Sequence, residues 1–119
     1  IIGTSGSFWD TLLFEPCAAG TDAEVAQHNE VEALRKQHAC TQEMADGFSG
    51  LLSRHFGLEV KPVVIPYGRD GAEQREMLHR MREQVPRGSR TQIDVTNGLR
   101  HLPLFALVAA ALLRRLDRV

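Results

Sequence analysis

Apolar positions along this chain fall into two kinds of spacing. Met44, Phe48, Leu51, Leu52 and Phe56 recur at i, i+4, i+7, i+8 and i+12, which marks one face of a helix, and Gly57 supplies its stop. Met77, Leu78, Met81 and Val85 give a second such face behind Asp70 and Glu73, a pair with capping-box spacing, and Pro86 and Gly88 end it. Thr21 and Glu24 have the same spacing and open a more polar helix that runs to about Gln37. A short helix is predicted from Phe8 to Leu13, followed by a loop that contains Pro16 and Gly20. The other spacing is that of strands. Ile1-Ile2 starts one, and Val60 to Ile65 is a β-branched run that suits a strand buried on both faces, ended by Pro66-Tyr67-Gly68. Thr91, Ile93 and Val95 alternate with polar residues until Asn97-Gly98 breaks the run. Pro103 then opens an apolar helix to about Leu116.

The resulting order, β, α, α, β, α, β, α, predicts an α/β fold, a Rossmann-like parallel sheet flanked by helices, in one domain spanning residues 1–119. With the first strand between the other two, the loops GTSGS (Gly3 to Ser7) and TNGLR (Thr96 to Arg100) both emerge beyond the carboxyl ends of strands, where ligands of open α/β sheets bind. Glycine lets backbone approach a ligand closely, and Thr4, Ser5 and Ser7 offer hydroxyls. A plain Gly/Ser turn capping a helix reads the same way. Arg100 carries a planar fork of donors suited to phosphate, in a turn before a helix start. His101 can hydrogen-bond a base or ribose, or serve structurally. Asp94, Thr96 and Asn97 suit either the shaping of the turn or contact with a ligand, and Tyr67, at the end of the middle strand, suits stacking on a base or packing.

Charge and composition narrow the partners. With 14 basic and 15 acidic residues the formal net charge is -1, which lacks the broad positive footprint that duplex nucleic acid requires. The longest apolar run, Leu102 to Leu113, falls short of the roughly 20 residues that span a bilayer. Cys17 and Cys40 have neither CxxC spacing nor a signal peptide before them, which favours reduced thiols in the cytoplasm over a disulfide framework or a zinc site. His28, His38, His55 and His79 show no metal-ligand pattern. With Glu32, Glu43, Arg35, Arg54, Arg80 and Arg82 they read as solvated helix surface. No metal and no cofactor is expected. GTSGS also lacks the GxGxxG spacing of dinucleotide binding, and no acidic strand end follows about twenty residues on. The chain begins at Ile1 without Met, consistent with a processed start or with a piece of a longer protein.

GTSGSFWD near the start, IPYG after the middle strand and DVTNGLRHLP near the end together resemble the CRISPR-associated Rossmann fold (CARF) domains of type III CRISPR antiviral defence. The last motif is the specific one, the family form being Asp-(Ile/Val)-Thr-His-Gly-(Phe/Leu)-Arg-x-(Leu/Met)-Pro. This resemblance implies a homodimer that binds a cyclic oligoadenylate second messenger, cyclic tetra-adenylate first among them, in one symmetric pocket across its interface. Carried over by motif, Thr4, Ser5, Gly6 and Ser7 line that pocket from the first loop. Thr96, Asn97, Gly98, Arg100 and His101 line it from the last, with Tyr67 beside them. Some members of the family cut the ring without a metal, as ring nucleases, leaving 2′,3′-cyclic phosphate ends. In that role Ser5, Arg100 and His101 are the candidate catalytic residues. Position 97 is Asn where the family has His, and Asn keeps hydrogen bonding while losing proton exchange near neutral pH. Relatives also commonly continue into an effector domain, and no segment here resembles one.

Overall fold

A computed structural model of the protein describes residues 1–18, 20–92 and 102–115. Among them lie β1 (Ile2–Gly3), α1 (Trp9–Ala18), α2 (Asp22–Lys36), α3 (Gln42–Phe56), β2 (Val63–Val64), α4 (Gly71–Glu83) and α5 (Leu102–Arg115). They divide between two compact units, Ile1–Ile65 and Pro66–Val119.

The expected Rossmann-like sheet does not form among these residues. The described chain is mostly helical, and its sheet is a single parallel pair in which Ile2 stands opposite Val63 and Gly3 opposite Val64. Both strands stop early because other groups claim the backbone. After Gly3 the backbone turns out of the ladder, because the Thr4 N–H donates to Ser7 Oγ at 2.8 Å and the Thr4 carbonyl accepts from the Ser7 N–H at 3.1 Å. On the edge of β2 away from β1, the Gln42 side chain donates to the Pro62 carbonyl at 3.0 Å and accepts from the Val64 N–H at 2.8 Å. At those two positions a side-chain amide from the first turn of α3 satisfies groups that would otherwise bond a further strand. Thr91 and Gln92, where a third strand was expected to begin, are not strand, and Ile93 and Val95 lie outside the described residues.

In the first unit the parallel pairing of the two expected strands does occur, with three helices in the crossover. Trp9, Leu13 and Cys17 follow one another at i, i+4 and i+8 on α1 and pack with Val31 of α2, Ala45, Phe48 and Leu52 of α3, and Val60 and Val64. The Trp9 and Phe48 rings meet at 6.2 Å, tilted by 49°. Helix α1 is longer than the sequence suggested, and Pro16 lies inside it rather than in a loop. A proline's fixed φ is helical, and its cost here is one missing donor in the last turn of a helix anchored by Leu13 and Cys17. The capping box at Thr21 and Glu24 forms as expected, with bonds of 3.3 Å and 3.1 Å. Gly57 ends α3 at φ +67, a left-handed conformation that costs glycine little. Phe56, placed on the core face by its spacing, is instead exposed at the helix end.

In the second unit Asp70 caps α4 by accepting from Ala72 and Glu73 N–H at 2.9 Å and 2.8 Å. The reciprocal bond of a capping box is displaced by one residue, since Glu73 Oε2 accepts from Arg69 N–H at 2.7 Å. Helix α4 packs on α5, with Met77, Met81, Ala109 and Leu113 buried. Leu104, Leu107, Val108 and Leu112 of α5 are exposed. No helix among the described residues is long and apolar enough to cross a membrane. Because Phe48 is fully buried between α1 and the β-strands' side of the core, Phe48→Ala should lower the unfolding free energy by about 3–5 kcal/mol in urea melts followed by circular dichroism. A loss below about 1 kcal/mol would show that Phe48 is not central to this core.

Candidate ligand-binding loop

The Gly3 to Ser7 segment leaves the carboxyl end of β1 and reaches α1 within five residues. Its shape is set by its own hydrogen bonds. Thr4 is 1% exposed, and its hydroxyl lies 3.2 Å from Ser7 Oγ. The Thr4 carbonyl accepts twice, from Ser7 N–H at 3.1 Å and from the Trp9 indole N–H at 2.8 Å. Ser5 gives its carbonyl to Cys40 N–H at 3.2 Å, which ties the loop to the segment entering α3. Gly3 is required here for packing. A Cβ at that position would stand 2.8 Å from Trp9 Cζ2 and 2.9 Å from Ser7 Oγ, both inside van der Waals contact.

The structure thus separates the loop residues by role. Thr4 points inward and is fully engaged, and the Ser7 hydroxyl is committed to the Thr4 backbone. Ser5 and Gly6, at the tip of the turn, are partly exposed, and the Ser5 hydroxyl has no partner among the described residues. Tyr67 belongs to the second unit, where the Arg69 guanidinium lies over its ring at 4.7 Å from the centroid. Asp94, Thr96, Asn97, Gly98, Arg100 and His101 lie outside the described residues.

Beside the loop stands a pair that sequence spacing did not reveal. Asp10, in the first turn of α1, is 8% exposed. Arg35, in the last turn of α2, donates to it through Nε and Nη2, each at 3.2 Å. The same guanidinium carbon lies 4.9 Å from the centroid of the Phe8 ring. Arg35 is therefore no ordinary surface side chain, as its place on a polar helix had suggested. A separation of 25 positions carries no local periodicity that could announce the contact.

The thiols nearby are inert in character. Burial raises the pKa of both Cys17 and Cys40, with the negative charges of Glu24 and Asp10 adding to the respective shifts, so both stay protonated at neutral pH. Among the described residues no group of three His, Cys, Asp or Glu side chains is arranged to hold a metal ion. No family model, curated protein or solved structure matches the chain.

Two stability measurements check this division of roles. Ser7→Ala, which strands the Thr4 N–H, should cost about 1–3 kcal/mol, whereas Ser5→Ala should stay within about 0.5 kcal/mol of the parent. Equal losses at the two positions would contradict the assignment. Asp10→Ala should cost about 1.5–3 kcal/mol through loss of a charged, two-pronged bond. Combining it with Arg35→Met should cost less than the two single changes added together, and strict additivity would show that the pair is uncoupled.

Proposed function

We propose that the chain binds a cyclic oligoadenylate, with cyclic tetra-adenylate as the first candidate, and that the tip of the Gly3 to Ser7 turn takes part in that binding. The observation that carries the reading is the placement of a pre-shaped, glycine-containing turn at the carboxyl end of a parallel strand and directly before a helix, with the Ser5 hydroxyl and Gly6 at its tip. A turn whose internal hydrogen bonds are already made loses little further entropy when it receives a phosphate. The likeness of DVTNGLRHLP to the CARF motif supports the same reading from the sequence, since Arg100 and His101 stand within that motif. The reading rests on the first turn and on the sequence motif, and requires no extended sheet.

A two-fold ring ligand is complementary to a symmetric homodimer, each copy offering the same donors to equivalent phosphates. Binding without rapid cleavage is the favoured form of this function. In-line attack of a ribose 2′-hydroxyl on the adjacent phosphorus profits from proton exchange, and Asn97 cannot provide it where the family motif has His. The two hydroxyls of the first loop that are fixed in place, those of Thr4 and Ser7, are also committed to one another.

Isothermal titration with cyclic tetra-adenylate, paired with chromatography of the labelled ring after incubation, tests the proposal. The expected result is saturable binding of an intact ring. Arg100→Ala should weaken it by about 1.5–3 kcal/mol through loss of a charged hydrogen bond to phosphate. Linear products with 2′,3′-cyclic phosphate ends would assign the chain as a ring nuclease instead, and absence of binding would remove the proposal.

A further inference from the structure

Among the described residues of the first unit, Phe8 is the most exposed large apolar side chain. It is 68% exposed, although its neighbour Trp9 is buried, so the chain forgoes the gain of covering a large ring at this point. The ring is nevertheless held. Trp9 N–H donates to the Ser7 carbonyl at 2.7 Å and Thr11 N–H to the Phe8 carbonyl at 3.2 Å, fixing the backbone on either side. The Arg35 guanidinium, clamped by both Asp10 oxygens, sits 4.9 Å from the ring centroid. Asp10 balances the charge of Arg35, so the assembly offers a flat, oriented aromatic surface rather than a free cation.

We infer that Phe8 is a stacking platform for a nucleobase, backed by the Arg35 guanidinium that Asp10 holds in place, one residue beyond the Gly3 to Ser7 turn. A base laid on the exposed part of the ring completes a layered stack of guanidinium, phenyl and base. The platform is ordered before the ligand arrives, because its partners are supplied by two different helices. With the ligand's phosphate at the tip of the turn and its base on Phe8, the two contacts are one nucleotide apart in function and adjacent in sequence. The inference rests on the nucleotide reading above for the identity of the base, adenine, and otherwise on the geometry of Phe8, Arg35 and Asp10 alone.

Titrations of the full chain with cyclic tetra-adenylate and, separately, with 5′-AMP, followed by the amide chemical shifts of residues 3–12, test it. Phe8→Leu retains an apolar cover for the ion pair but has no aromatic face, and Phe8→Trp retains the face. The expected result is a loss of affinity of about tenfold for both ligands in Phe8→Leu and none in Phe8→Trp, with thermal stability of both variants near that of the parent. Parental affinity for both ligands in Phe8→Leu would overturn the platform while leaving the cyclic oligoadenylate reading standing. Binding of AMP but not of the ring, weakened in Phe8→Leu, would do the reverse. If the parent bound neither ligand, both would fall.

Discussion

The first unit depends on the placement of the Trp9 indole. Its ring packs on Phe48 and fills the space that Gly3 leaves open, while its single N–H donates to the Thr4 carbonyl. A buried indole without that acceptor would carry an unpaired donor into the core, so core packing and loop shape are satisfied by the same side chain. The loop is thereby fixed from inside. Its tip, Ser5 and Gly6, remains toward solvent because Thr4 and Ser7 supply the bonds that hold the turn.

The same economy limits the sheet. Each short strand is bounded by groups already claimed, the Thr4 backbone just after β1 by the turn that follows and one edge of β2 by Gln42. Polar groups that would otherwise recruit a neighbouring strand are satisfied by side chains and turns. Apolar area is buried instead on helix faces, by Leu13 and Cys17 of α1 and by Ala45, Phe48 and Leu52 of α3. The loop at the carboxyl end of β1 keeps its position under this arrangement, because that position requires a single parallel partner and a helix start.

Surface chemistry around the loop is governed by desolvation. Asp10 is nearly buried and is engaged by a two-pronged guanidinium, which in turn lies against Phe8. At the cysteines burial is the larger cause, outweighing the pull of Arg35 on Cys40, and the thiols are held protonated. One pair thus forms a rigid charged feature beside the loop, and the other behaves as small apolar filling of the core.

Short-range rules were legible directly in the chain. The caps at Thr21 and Asp70, the left-handed stop at Gly57, the buried stripe of α3 and the parallel pairing of the Ile2 and Val63 segments each follow from residues a few positions apart or from β-branched runs. What the spacing could not state was where long-range partners would compete. Pro16 stayed helical because Leu13 and Cys17 anchor its helix, Val60 to Ile65 yielded a two-residue strand because Gln42 claims its edge, and Arg35 became a clamp because folding brings α2 beside the start of α1. The chain alone determined where its helices begin and the turn its first loop makes, since those depend on neighbours in sequence. The size of the sheet and the meeting of Phe8 and Asp10 with Arg35 were decided by tertiary structure, because each depends on which groups win a contact between distant segments.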